Sequence, residues 1–210
     1  HKRETAGRLN AGYFDGKLVL MGGGGAWSRN FSLSRQETLA VAQQAHHVLV
    51  LPTTYDLPPA GLDNVTYFSR DRFSSLKAVH ESLFCHDMAF FTDIKVREPS
   101  ERAWKLFAMR NDREGHGYGQ HFHLNFDVSM LGDGDYRFVD PFFNIINNFK
   151  VISTDRMHIA IAAGMLGLQV NLVPGNYPKS SDVYRSSIQD AYSNVRLKSI
   201  EDVLRWHEGK

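Results

Sequence analysis

The sequence is poor in the features that would define several common classes of protein. It has one cysteine, Cys85, among 210 residues. A lone cysteine excludes an intrachain disulfide framework, and its apolar surroundings favour a small buried residue over a nucleophile. Neither sign of charge is in excess, since 24 Lys and Arg against 23 Asp and Glu leave a formal net charge of +1. The overall charge therefore implies neither nucleic acid nor an anionic membrane as a partner.

Long apolar runs are missing as well. No stretch reaches the roughly 20 residues needed to cross a bilayer, so we expect no transmembrane segment. The chain begins at His1, with no initiating Met and no signal peptide, which predicts that it is processed, tagged or cut from something longer. What is present is an ordinary globular composition, 42% hydrophobic and 22% charged, in a length suited to one large or two small domains.

The stretch 149–164, FKVISTDRMHIAIAAG, is the most informative part of the chain. It combines a short β-type run with a long apolar helical run, and a second β-type run follows. The pattern predicts a strand at 150–153, an N-cap at Thr154 or Asp155, a helix at 157–168 and a strand at 168–173. We expect the two strands to be parallel and the connection between them to be right-handed.

The turn of this unit brings a cation and an imidazole to a helix N-terminus. Arg156 and His158 fall in the first helical turn, where backbone N–H groups and the helix dipole favour an anion. The arrangement predicts a site for phosphate or carboxylate. An alternative is that Arg156 pairs with Asp155 or a neighbouring acid, and the spacing leaves both interpretations open.

Short apolar runs alternate with helical patterns along the rest of the chain, which is typical of a parallel α/β sheet. The predicted strands are 17–21, 47–51, 65–69, 85–91 and 104–110, and the predicted helices are 34–45, 73–83, 140–148, 182–191 and 199–206. The charged segment 94–102, which contains Pro99, predicts a linker. The expected domains are therefore 1–98 and 99–210.

Several segments follow predicted strands directly, at the edge of a parallel sheet where ligands bind. They are the glycines at 22–25, the predicted turn at 52–55, Ser69 with Arg70, and the turn at 154–158. The four glycines let the backbone approach a ligand or let the chain turn over the sheet edge. They match neither a P-loop nor a dinucleotide fingerprint.

Six segments resemble, in order, motifs of the polysaccharide pyruvyl transferase family. They are 18–24 (its strand and Gly-rich loop), 68–74 (RD-x-x-S), 86–90 (D-x-A-F), 107–114 (its arginine-bearing strand), 154–158 (T-D-R-L-H) and 176–179 (N-x-Y-G-K). Met157 replaces the Leu of the fifth motif, and Pro178 replaces the Gly of the sixth. Only residues 1–17 precede the first motif, so we expect an abbreviated N-terminal half. The segment 114–144 is also short for the second half of the family.

The resemblance implies transfer of a pyruvyl group from phosphoenolpyruvate to a sugar of a polysaccharide or glycan, which leaves a pyruvate ketal. It implies two Rossmann-like halves with parallel sheets, similar to B-type glycosyltransferases, and a site in the cleft between them. Arg156 and His158 would be the catalytic residues, with His158 acting as a general acid or as a phosphate ligand. The expected substrate-binding residues are Arg70, Lys179, Arg110, Gly23, Gly24 and Asn176.

The reaction requires no metal and no cofactor, because fixed cations and backbone dipoles can stabilise the charge. His116, His121 and His123 form a cluster, but no cysteine or motif completes a metal site, so a solvated loop or a contact with the acceptor sugar is favoured. We expect phosphoenolpyruvate and a saccharide acceptor as partners and no nucleic acid. The expected location is cytoplasmic or membrane-peripheral, or lumenal if the chain is a processed eukaryotic protein.

Alternatives remain at the level of the sequence. The chain could be a nucleotide-sugar glycosyltransferase, or a non-catalytic homologue that binds a glycan or a protein partner. Arg70 could form a surface ion pair with Asp71, and His158 could be a core histidine. Lys179 could be an ordinary solvated lysine, and Arg110 could have no contact with substrate.

Overall fold

The computed structural model describes residues 12–29, 33–59, 61–112, 114–131 and 139–208. The chain divides into two compact units after Met88, and each unit contains one sheet of parallel strands. The predicted α/β class, with two Rossmann-like halves built on parallel sheets, is therefore confirmed. The predicted linker lies within the second unit, where Ile94 and Val96 pack against the core.

The first unit is built around one long strand. Its elements are β1 (Leu18–Met21), β2 (Gly24–Trp27), α1 (Leu33–Ala42), β3 (His47–Tyr55), β4 (Val65–Ser69), α2 (Ser74–Ala78) and β5 (Leu83–Phe84). β3 pairs with β1 and β2 along one edge and with β4 along the other, and β4 pairs with β5. The predicted turn at 52–55 is wrong, because β3 continues to Tyr55.

Pro52 is accommodated in this central strand because both neighbouring ladders are interrupted beside it. The β1 ladder ends at Val50 and the β2 ladder begins at Thr53. The register with β4 also shifts between Val50 and Thr53. Proline lacks a backbone N–H and is tolerated in a sheet only at such irregular places.

The glycine stretch becomes part of the sheet instead of an open loop. β2 starts at Gly24, which has a φ of 113°. A Cβ atom on Gly23 would lie 2.4 Å from the carbonyl oxygen of Pro52. The chain therefore needs glycine at 23 because it passes so close to β3.

The predictions for the end of the first unit are partly wrong. The expected helix at 73–83 shortens to α2, because Val79 leaves the helical conformation at φ −134° and ψ 80°. The expected strand at 85–91 is wrong, because β5 ends before it at Phe84 and Met88–Phe91 form a 3₁₀ helix. A continuous apolar run does not by itself distinguish a strand from a helical turn.

The second unit has a sheet whose strands follow one another in chain order, β6-β7-β8-β9. Its elements are β6 (Ala103–Phe107), α3 (Asp140–Asn147), β7 (Phe149–Thr154), α4 (Met157–Met165), β8 (Gln169–Leu172), α5 (Lys179–Val183), α6 (Gln189–Ala191), β9 (Val195–Leu197) and α7 (Ile200–His207). Tyr118–His121 and Val128–Met130 are 3₁₀ helices, and the π-helical Tyr184–Ile188 joins α5 to α6. The predicted parallel strand–helix–strand unit is confirmed by the pairing of β7 with β8. β9 has too few residues for a periodic pattern, so the sequence does not predict it.

The core of the second unit lies on the face of the sheet that α3 and α4 cover. α4 is buried over most of its surface, as an almost wholly apolar helix should be. Gly164 lets α4 approach Tyr192, since a Cβ atom there would lie 2.8 Å from the ring. A smaller apolar cluster on the other face includes Phe107, Phe122 and Val203 of α7.

No helix within the described ranges is both long enough and apolar enough to span a membrane. This agrees with the expectation of no transmembrane segment.

Replacing Gly23 by alanine should destabilise the first unit by about 1–3 kcal/mol, because the new methyl group would press on the backbone of β3. Gly22→Ala is the matched control, because a Cβ atom there meets nothing within 4 Å. The control should stay within about 0.5 kcal/mol of the parent. Urea unfolding in a Trp104→Phe/Trp206→Phe background leaves the buried Trp27 as the fluorescent reporter of this unit. Equal stability of the two alanine variants would contradict the prediction.

Candidate functional site

The segment after β6 is held by the end of β7. The Ala108 carbonyl accepts a hydrogen bond from Thr154 Oγ1 at 2.7 Å, and Arg110 N donates to Asp155 Oδ1 at 2.8 Å. Arg156 itself occupies the N-cap position of α4 and provides no side-chain cap. The prediction that Thr154 or Asp155 is the N-cap is therefore wrong. Asp155 binds the neighbouring segment, and the Thr154 hydroxyl donates to that segment and accepts from Arg156 N at 3.0 Å.

Three of the predicted cations meet at this carboxyl edge of the second sheet. Arg110 follows β6, Arg156 follows β7, and Lys179 ends the loop after β8. Carboxylates connect them, and we call the whole group the strand-end cluster. Its members are Arg110, Asp112, Glu114, Asp127, Arg156, Tyr177 and Lys179.

The innermost contact of the strand-end cluster joins Arg156 to Asp127. Nε and one terminal nitrogen of Arg156 each lie 2.6 Å from a different oxygen of Asp127. The Asp127 side chain is only 2% exposed. Burial opposes its ionisation, but the hydrogen bonds and charge of Arg156 outweigh burial and lower the pKa of Asp127. Asp127 is therefore a carboxylate at neutral pH, and it fixes the plane of the guanidinium.

Asp112 links the two arginines at the outer side of the cluster. Its oxygens lie 2.8 and 2.9 Å from Arg110 and 3.0 Å from Arg156. Burial works against the charge of Asp112, but Arg110 outweighs it and lowers the pKa to about 2. With a side chain that is 40% exposed, Asp112 is the carboxylate of the cluster that solvent reaches most easily.

Glu114 links Arg110 to Lys179. It forms an ion pair with Arg110, and its oxygens accept from Lys179 Nζ at 3.2 Å and from the Tyr177 hydroxyl at 2.7 Å. Lys179 also donates to the Tyr177 oxygen at 2.7 Å. Burial raises the pKa of Glu114, and the charge of Lys179 with these hydrogen bonds lowers it by more.

Asp155 is buried next to the cluster, and its pKa shifts in the opposite direction to that of Asp127. It is 1% exposed, and its second carboxylate oxygen has no hydrogen-bond partner among the described residues. Burial raises the pKa of Asp155 above its usual value even though Arg110 N donates to it.

Arg156 pairs with Asp127 and Asp112, so the expected alternative of a pair with a neighbouring acid is observed.

His158 and Asn176 lie near the cluster in the chain, and both side chains are exposed. His158 is in the first turn of α4, as predicted. The alternative of a core histidine is wrong, because the neighbouring Met157 and Ile159 are the residues that enter the core. No group of three or more His, Cys, Asp or Glu within the described ranges is suited to hold a metal.

Arg70, Gly23 and Gly24 belong to the first unit. The Arg70 side chain is fully buried, lies 2.5 Å from an oxygen of Asp87 and donates to Thr54 Oγ1 at 2.8 Å. The alternative of a surface pair with Asp71 is wrong, because Asp71 accepts hydrogen bonds from the backbone of Phe73 and Ser75 at the start of α2. In this environment Arg70 stabilises the end of β4.

The acidic members of the cluster are absent from the site residues that the sequence predicts. Asp112 and Glu114 stand within the motif at 107–114, at spacings that let them fold back on Arg110, and this was a usable signal. Asp127 gives no such signal, because it lies in an irregular segment 29 residues before Arg156 and contacts it only in the folded protein. Tyr177 was noted only as part of the segment 176–179.

Comparison with known proteins supports the fold alone. No protein-family model matches the chain. No curated protein matches it either. A solved structure that does match is the crystal structure of a functionally uncharacterised protein from Klebsiella pneumoniae subsp. pneumoniae, with a TM-score of 0.68 and 23% identity over 90% of this chain and 79% of the other. The resemblance to pyruvyl transferases therefore stays a prediction.

The two buried aspartates should respond to pH in opposite directions. The folded pKa of Asp127 is lowered, so its stabilisation is present above about pH 4 and is lost as the pH falls through the folded value. The folded pKa of Asp155 is raised, so its contribution is full below about pH 4 and is lost as the pH rises. Urea unfolding from about pH 3 to 7 should show that Asp127→Asn costs most at pH 7 and progressively less in acid. The stability of Asp155→Asn relative to the parent should increase as the pH rises. Parallel pH profiles of stability for the two variants would contradict the opposite pKa shifts of Asp127 and Asp155.

Proposed function

We propose that the chain is a ketal pyruvyl transferase, which moves the pyruvyl group of phosphoenolpyruvate onto a sugar of a polysaccharide or glycan. The observation that carries the proposal is the convergence of Arg110, Arg156 and Lys179 from three successive strand-end loops. Phosphoenolpyruvate has a phosphate and a carboxylate on three carbons, and such a ligand needs several cations close together. The motif resemblance in the same segments supports the choice of this donor.

The proposed roles follow from the geometry of the cluster. Arg156, held in plane by Asp127, would present its outer edge to the donor with little reorganisation. Asp112 occupies that edge in the structure and would have to release it to the incoming anion. His158, exposed and two residues after Arg156, would protonate the methylene carbon as the sugar oxygen attacks the neighbouring carbon, and it would then take up the proton of that hydroxyl. Loss of phosphate, which carries away the proton of a second hydroxyl as that hydroxyl closes the ring, would complete the ketal.

A second candidate is a non-catalytic homologue that binds a glycan or a protein partner. The observation in its favour is that a side-chain nitrogen of each of Arg110, Arg156 and Lys179 lies 3.2 Å or less from a carboxylate oxygen. Cations that are already neutralised attract an anionic donor less strongly. A nucleotide-sugar glycosyltransferase is distinguished from both by binding of a uridine nucleotide.

Titration of phosphoenolpyruvate by calorimetry tests the donor site. The parent protein should bind it, and Arg156→Lys should weaken binding by about tenfold, because lysine keeps the charge but loses the two-point geometry. Lysine leaves Asp127 with a cation, so this variant should remain folded, which circular dichroism checks. Uridine diphosphate is the control ligand. If phosphoenolpyruvate does not bind, the proposal fails: uridine diphosphate binding would then indicate a glycosyltransferase, and no binding of either ligand would favour the non-catalytic homologue.

Neutralising Asp112 should strengthen donor binding. Asp112→Asn removes the carboxylate that competes for Arg110 and Arg156, so we expect the dissociation constant for phosphoenolpyruvate to fall by about three- to tenfold. Asp202→Asn is the matched control, since Asp202 is also a partly exposed carboxylate paired with an arginine, Arg205, but lies on α7. The control should bind as the parent does. Weaker binding by Asp112→Asn would mean that the carboxylate organises the site instead of occupying it.

A further inference from the structure

One face of the second sheet is only partly covered. Leu106 and Phe107 are consecutive residues of β6 and enter separate apolar clusters on opposite faces. α3 and α4 cover the first face, and on the second face α7 is the helix that packs, through Val203. All-parallel sheets are usually covered on both faces. The part of the second face that α7 leaves open is therefore a candidate binding surface.

This open part is a groove of about 280 Å³. Trp206 from α7, which is 36% exposed, contributes its ring to the wall, and Trp104 of β6 also borders the groove. Trp206 is held in place by Lys105, whose Nζ lies 5.2 Å from the ring centroid, and by Phe107 at a centroid distance of 6.4 Å. The aromatic surface is thus oriented before any ligand arrives.

Polar side chains complete the lining. Gln169 and Asn171 come from β8, and Lys198 and Asp202 flank the start of α7. The side chains of Gln169 and Lys198 make no hydrogen bond or ion pair to any residue that the structure describes, and Asn171 uses one amide proton, donated to Ser153 Oγ at 3.2 Å. The groove therefore offers amide donors and acceptors and an ammonium group that a ligand can engage.

The charges of the groove limit what that ligand can be. Lys198 and Asp202 have opposite signs and lie close enough for Lys198 to contribute to lowering the pKa of Asp202. Asp202 also pairs with Arg205 at 2.5 Å, and Lys105 lies over the ring of Trp206, so these charged groups already have protein partners. The volume of the groove lies just below the range of about 300–1,000 Å³ that is typical of small-molecule sites, which favours a ligand of one or two rings.

We propose that this groove binds a saccharide, one or two pyranose units in extent. The C–H face of a pyranose ring packs on indole, while its hydroxyl groups hydrogen-bond to planar amides and to charged side chains. The aromatic face of Trp206 beside two amides and the ammonium group of Lys198 matches that chemistry. The inference does not depend on pyruvyl transfer, because the residues that line the groove are different from those of the strand-end cluster, and saccharide binding is measured without the donor.

The three tryptophans make the test direct, because Trp27 is buried in the core of the first unit and serves as an internal reference. Tetrasaccharides of β1,4-linked glucose, β1,4-linked galactose and β1,4-linked mannose are titrated into the full chain at millimolar concentrations. Tryptophan fluorescence and its quenching by acrylamide are recorded, with uridine and adenosine as controls for base stacking. We expect at least one tetrasaccharide to protect Trp206 from acrylamide, and neither nucleoside to do so.

Variants assign the effect to the groove. Trp206→Ala and Gln169→Ala should each weaken saccharide binding, the former by about tenfold or more because it removes the stacking surface. Phe91→Ala removes an aromatic side chain that is 64% exposed and does not line the groove, and it should bind within twofold of the parent. The proposal is overturned if no tetrasaccharide binds, if a nucleoside binds instead, or if Phe91→Ala weakens binding as much as Trp206→Ala does.

Discussion

The two-point ion pair between Arg156 and Asp127 is the contact on which the strand-end cluster depends. It joins the loop after β7 to the irregular segment that follows β6, and its carboxylate is almost completely buried. Removing one member of such a pair leaves an uncompensated charge and costs about 3–5 kcal/mol. Asp112 and Glu114 then extend the same alternation of charge to Arg110 and Lys179. The result is a group of cations held in fixed positions, which is what recognition of a small anion requires.

Much of the fold could be predicted because parallel sheets leave a strong pattern in the chain. The run around Val48 is apolar on both faces, those around Ile152 and Val170 are apolar on the face that enters the core, and the helix that became α4 is almost wholly apolar. The failures occur where tertiary contacts override the local pattern. Pro52 indicates a turn when considered alone, and only the interrupted ladders on both sides of β3 explain why the strand continues. β9 is defined by its pairing with β8, which no local property of three residues reveals.

The basic residues of the candidate site could be predicted from the sequence, and its acidic residues could not. Arg110, Arg156 and Lys179 stand at strand ends, and the edge of a parallel sheet brings strand ends together whatever the intervening sequence. Asp127 arrives through a segment without regular structure, so its position depends on contacts and not on periodicity. Thr154 and Asp155 have the residue types of a helix cap, but they bind the segment after β6. Local propensity identified these two residues and assigned them the wrong partner.

The chain-order sheet of the second unit also has a consequence for how the protein is made. Each of β7, β8 and β9 pairs with the strand that precedes it in the sequence. A ribosome releases the strands in that same order, so every new strand meets a partner that has already left the exit tunnel. Pairings between sequence neighbours also keep loop closure short, which favours rapid folding. The second unit can therefore grow one strand and helix at a time during synthesis, without waiting for its C-terminus.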